Sequence, residues 1–208
     1  MKKFIIAALT LMTSIVHAED APEKSQFVST KLPGGMTLDI PKGWSFTGPD
    51  QKQILQTYAQ SIWDLTKIPY GRAGMLLGAT APPDTGYFSV TIVIEYRKTA
   101  TQQDVKQIPS SQLPSLDKQN RDDIEAGSPL NGLKILSWEG TTVERVGSTT
   151  AIIKRYTYQL PGQKPRRMEN CQIFLGDRMM SLILQNGEQT LIPAKPIFER
   201  IKSSVKIE

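Results

Sequence analysis

The chain has 208 residues, 39% of them hydrophobic, with 25 Lys and Arg against 20 Asp and Glu for a formal charge of +5. That length suits one ordinary domain with its own core, and the charge is too mild for a nucleic-acid binder. Cys171 is the only cysteine, which excludes an intramolecular disulfide, and His17 is the only histidine.

Met1-Lys2-Lys3 gives a positive start, Phe4 to Val16 is apolar apart from Thr and Ser, and Val16-His17-Ala18 places small side chains where a signal peptidase requires them. Residues 1–18 therefore read as a secretory signal cleaved after Ala18. The apolar run is shorter than the roughly 20 residues that span a hydrocarbon core. No cysteine stands near the cleavage point to carry a lipid. The expected product is a soluble periplasmic protein with no transmembrane segment in the mature chain. Cleavage also removes His17. Serine or cysteine nucleophiles then lose their usual base, and zinc and copper lose their usual ligands. No cofactor, metal or catalytic residue is indicated.

Residues 19–30 are polar and aperiodic, a flexible leader expected to become ordered near Phe27, and 31–208 form a single domain. After Pro33-Gly34-Gly35, the alternation Met36-Thr37-Leu38-Asp39-Ile40 predicts a half-buried strand ended by Pro41 and Gly43. Asp50 with Gln53 resembles a capping box, and Ile54, Tyr58, Ile62 and Leu65 predict a helix to about Lys67. Residues 73–80 read as extended. Tyr87 to Arg97 is the clearest strand, with Phe88, Val90, Ile92, Ile94 and Tyr96 on one face and Ser89, Thr91 and Glu95 on the other. Thr101 to Ala126 is polar and helix-prone, expected to be broken by Pro109 and Pro114 before a helix near Ser115–Glu125 with Gly127 as its C-cap. Gly147-Ser148 and Gly176-Asp177 then mark two tight hairpins. A closing helix over about Ala194–Ser203 carries Ile197, Phe198 and Ile201 on one face, with Pro193 and Pro196 expected in its first turn.

Hairpins interleaved with helices early, midway and late predict the α+β class. Met36–Trp44 and the ending Phe198-Glu199-Arg200-Ile201-Lys202-Ser203-Ser204-Val205-Lys206-Ile207 resemble the PsbP-like family, which also includes a yeast nuclear-import factor and small bacterial periplasmic proteins. In that family an opening strand leads into a Pro-x-x-Trp turn and a closing helix follows the last hairpin. The resemblance implies a central antiparallel β-sheet flanked by helices, a three-layer α/β/α sandwich used mainly to bind other proteins. It brings no active site and fixes no oligomeric state.

Five residues stand out as an interaction surface: Arg72, Trp138, Lys164, Arg166 and Arg167. Arg72, in a loop after Pro69 and Gly71, suits an anion or a partner carboxylate. Lys164-Pro165-Arg166-Arg167 offers adjacent guanidinium forks to an acidic partner, or else forms a solvated hairpin tip. Trp138 reads as half exposed, Trp44 as capping the core and Trp63 as packing on the first helix. Asp117, Asp122, Asp123 and Glu125 read as a solvated helix face neutralised by Lys118 and Arg121, and Cys171 as a small core residue. The expected function is non-enzymatic binding of an envelope protein. The alternatives are a small-molecule or lipid carrier, whose cavity would be lined by residues such as Phe88, Ile92 and Tyr156, and a carboxylate or Ser/Lys enzyme.

Overall fold

A computed structural model describes residues 26–47, 72–83, 86–187 and 191–208. The expected signal, and the expected helix from Asp50 to Lys67 with Trp63, lie outside the described residues. In chain order the elements are β1 (Phe27–Leu32), β2 (Met36–Pro41), β3 (Ser45–Phe46), β4 (Arg72–Thr80), β5 (Phe88–Tyr96), α1 (Gln102–Lys106) and α2 (Leu113–Asn131). There follow β6 (Lys134–Val146), β7 (Thr149–Gln159), β8 (Arg166–Phe174), β9 (Met179–Gly187), α3 (Leu191–Ser204) and β10 (Lys206–Ile207). The α+β class is as expected.

Seven strands form one antiparallel sheet in the order β3-β4-β5-β9-β8-β7-β6, and a second sheet of three runs β1-β2-β10. Both tight turns lie where glycine marked them: Gly147 and Gly176 have φ of 57° and 87°, which a side chain disfavours. Gly147 carries a second constraint. A Cβ there would lie 1.8 Å from the Val205 carbonyl oxygen, because the β6–β7 turn clasps the C-terminus through Ser148 N–H donating to that oxygen at 2.9 Å.

Register sorts the large sheet into two faces. The inner face carries Val90, Ile92, Ile94, Leu184, Leu182, Met180, Cys171, Ile173 and Ile153, all fully buried. Over it lie Met36, Leu38 and Ile40 of β2, with Ala194, Phe198 and Ile201 of α3. Phe198 meets Phe88 edge to face at 6.4 Å between centroids. The outer face is covered by α1 and α2, so helices flank the sheet on both sides as in a three-layer sandwich. Trp44 closes the core beneath the turn after β2, as expected.

Several local expectations change. Tyr96 is 50% exposed at the end of β5, while Ser89 and Glu95, expected on an open face, are buried because the outer face is covered too. Pro114 does not break a helix; it occupies the first turn of α2, where its missing N–H costs nothing. Nor does Gly127 end that helix. Gly132 does, in the left-handed region at φ 68°. Pro196 lies inside α3 rather than in its first turn, because the helix begins earlier, at Leu191.

Candidate functional site

Two hairpins and one helix assemble an aromatic row on the outer face. In β7 the alternation Tyr156, Tyr158 puts both rings on that face, and Trp138 of β6 lies in register with Tyr156. The indole stacks on Tyr156 at 5.6 Å and 18°, and Tyr156 meets Tyr158 at 6.0 Å. Trp138 Nε1 donates to Asp117 Oδ1 of α2 at 2.9 Å, which fixes the ring plane. Across β8 the Tyr156 hydroxyl donates to Met168 Sδ at 2.8 Å. Arg166 then lays its guanidinium over Tyr87, 3.8 Å from the centroid. Tyr87 donates to Gln185 Oε1 at 3.3 Å, and Ser89 joins the same pair. Trp138, Tyr87 and Arg166 remain half-buried, and Lys164 is exposed beside them.

Burial, together with the neighbouring Tyr158, pushes the Tyr156 hydroxyl well above the usual phenol range. Burial also raises Tyr158, while the Arg166 charge opposes that rise. Both phenols thus stay neutral donors. An aromatic row with a stacked arginine is suited to docking, since such side chains give large rigid contact area and dominate binding hot spots.

Four of the five expected surface residues come to one end of the sheet. Trp138, Arg166 and Arg167 are joined through β7, and Lys164 sits in the loop before β8. The hairpin-tip expectation changes for the two arginines, which open β8 and point to opposite faces. Arg167 is held by Glu139 in a bidentate pair at 2.7 and 2.6 Å on the inner side. Arg72 stands apart. It is the first residue of β4, opposite Tyr96 at the other end of the sheet, rather than in a free loop.

No protein-family model and no curated protein matches the chain. Among solved structures, cyanobacterial PsbP (CyanoP) from Synechocystis sp. PCC 6803 superposes with a TM-score of 0.56 at 10% identity, covering 89% of this chain and 95% of that one. The fold is PsbP-like. LpqN of Mycobacterium tuberculosis, described as involved in cell envelope biogenesis, is a weaker match at TM-score 0.45 and 12% identity, covering 88% and 90% of the two chains.

Other candidates in this PsbP-like chain are absorbed by structure. Asp122 pairs with Lys118 and Glu125 with Arg121 along α2, while Asp117 is taken by Trp138. These carboxylates do not converge. Cys171 is buried in the inner face, and desolvation raises its thiol far above the usual range. No group of three or more His, Cys, Asp or Glu is placed to hold a metal among the described residues.

On the inner face, a network absent from the sequence reading ties α3 to the sheet. Lys202 donates to Glu169 at 2.6 Å, and Arg155 bridges Glu169 to Glu144. Burial pushes the Glu169 carboxyl up, but Lys202 and Arg155 more than reverse this and hold it below its ordinary value. The Arg155 fork holds Glu144 down to about 2 against the effect of burial. The proposed carrier cavity is also overturned: Phe88 and Ile92 lie on the inner face and Tyr156 on the outer, so these residues do not line one space.

Proposed function

We propose that this is an exported, non-enzymatic envelope protein that binds another protein through the outer-face aromatic surface around Trp138 and Arg166. The observation that carries this is the row Trp138, Tyr156, Tyr158, with Arg166 stacked on Tyr87 and Lys164 beside it. It supplies aromatic contact area with a cationic rim, and the partner it suits presents carboxylates around an apolar patch. Residues 1–18 support export, and the loss of His17 with the signal supports a binding role over nucleophilic catalysis.

Affinity capture from an envelope fraction tests this reading. One stoichiometric partner is expected, lost at least about tenfold in W138A and R166A, in keeping with the cost of removing a hot-spot side chain. Capture that is unchanged in both variants, or recovery of no protein, overturns it. Amino-terminal sequencing of the captured protein is expected to begin at Glu19.

A further inference from the structure

The layer between α2 and the sheet is unusually polar for a helix–sheet interface. Asn120 is the only fully buried side chain among the described side chains of α2, and its Nδ2 donates to Thr141 Oγ1 of β6 at 3.3 Å. Beneath it lies Lys154 of β7, 9% exposed, in register with Thr141 on one side and Asn170 of β8 on the other. The Lys154 ammonium makes no hydrogen bond among the described residues. Its one electrostatic neighbour is Asp123 of α2. Asn170 Oδ1 is likewise buried and accepts no hydrogen bond.

An ammonium is a triple donor and an amide oxygen only an acceptor. Folded proteins rarely leave either one buried and unpaired, because each then bears its desolvation cost without compensation. The two groups sit on adjacent strands, on the same face, and do not satisfy each other. What completes both is a molecule that brings an anionic acceptor to Lys154 and a donor to Asn170. Asp123 already places a negative charge near the ammonium, which favours a monoanion over a dianion.

We infer that the polar layer between α2 and β6–β8 is a binding site for a small monocarboxylate carrying a hydroxyl or amino group. Its carboxylate pairs with Lys154, its donor reaches Asn170 Oδ1, and Thr141 and Asn120 line the remainder. The site is separate from the protein-binding surface and does not depend on it.

Amide shifts of the ¹⁵N-labelled protein, expressed from its full sequence, test the site. L-lactate, glycine, acetate and inorganic phosphate are each titrated against sodium chloride of equal ionic strength. Saturable shifts at Thr141, Lys154 and Asn170 are expected with L-lactate or glycine, with acetate weaker because it has no donor for Asn170. K154M keeps the apolar stem and removes a buried charge, so it is expected to fold while losing at least about tenfold in affinity, the usual scale for a charge-assisted hydrogen bond. N170A is expected to lower L-lactate binding to the level of acetate. Shifts no different from sodium chloride, equal binding by K154M, or tighter binding of phosphate than of L-lactate each overturn the proposal.

Discussion

Lys154 shows how burial changes a single side chain. Desolvation lowers its ammonium to about 8, partly opposed by Asp123. A lysine with a depressed folded pKa destabilises the fold while it is charged, fully so below about 8, and that penalty is relieved as pH rises toward the ordinary 10.5. The urea midpoint of the wild type is therefore expected to rise relative to K154M between pH 8 and 10.5. A constant difference across that range counts against the shift. Gly147 illustrates a steric rather than an electrostatic constraint. Alanine there meets both a left-handed backbone and the Val205 carbonyl, and about 3 kcal/mol of stability should be lost. Denaturant unfolding checks this, with the midpoint falling at unchanged slope.

Short α1 depends on local bonds rather than on area. Thr101 and Asp104 form a reciprocal capping box, the Asp104 N–H donating to Thr101 Oγ1 at 3.2 Å and the Thr101 N–H to Asp104 Oδ2 at 2.7 Å. Gln102 then clips the helix to two strands. Its amide donates to the Thr150 and Phe174 carbonyls at 3.0 and 2.9 Å and accepts from the Thr150 N–H at 2.9 Å. Q102A leaves three backbone groups without partners. A loss of about 1–3 kcal/mol is expected, with faster hydrogen exchange at the Thr150 amide as the local sign. Such clips have no periodicity, so pattern reading sees only a polar segment. Strand β6 was hidden for a related reason. Counting back from the Gly147-Ser148 turn on a regular ladder sets Glu139 opposite Tyr156. Register shifts between Trp138 and Gly140, and again between Ile135 and Ser137, bring Trp138 there instead.

For the whole molecule, the junction of α3 with the large sheet combines apolar packing with the Glu169–Lys202–Arg155–Glu144 network. E169Q leaves Lys202, whose side chain is 7% exposed, without its main counter-charge. Loss of one partner of a buried pair costs about 3–5 kcal/mol, and calorimetry should show a lower Tm. The network also sets an acid limit. Glu144 and Glu169 both have depressed folded pKa values, so their stabilisation is complete above the ordinary glutamate value of 4.5 and lost as pH falls toward about 2. Unfolding midpoints between pH 6 and 2 should decline mainly below 4.5, and less in E144Q. A profile identical in E144Q contradicts this account.

Sequence alone determined the α+β class, both glycine hairpins, the core face of β5, and the burial of Trp44 and Cys171. These follow from short-range rules: period-two alternation, turns that only glycine accepts, and closing-helix spacing. Only the tertiary structure decided which charged and aromatic residues meet. Glu169 and Lys202 are 33 residues apart in the chain, and Trp138 finds Asp117 across 21. Arg166 and Arg167 are adjacent in sequence yet serve opposite faces, because a strand turns neighbouring side chains apart. Pairings of this kind depend on register, bulges and helix docking, which no local residue pattern encodes.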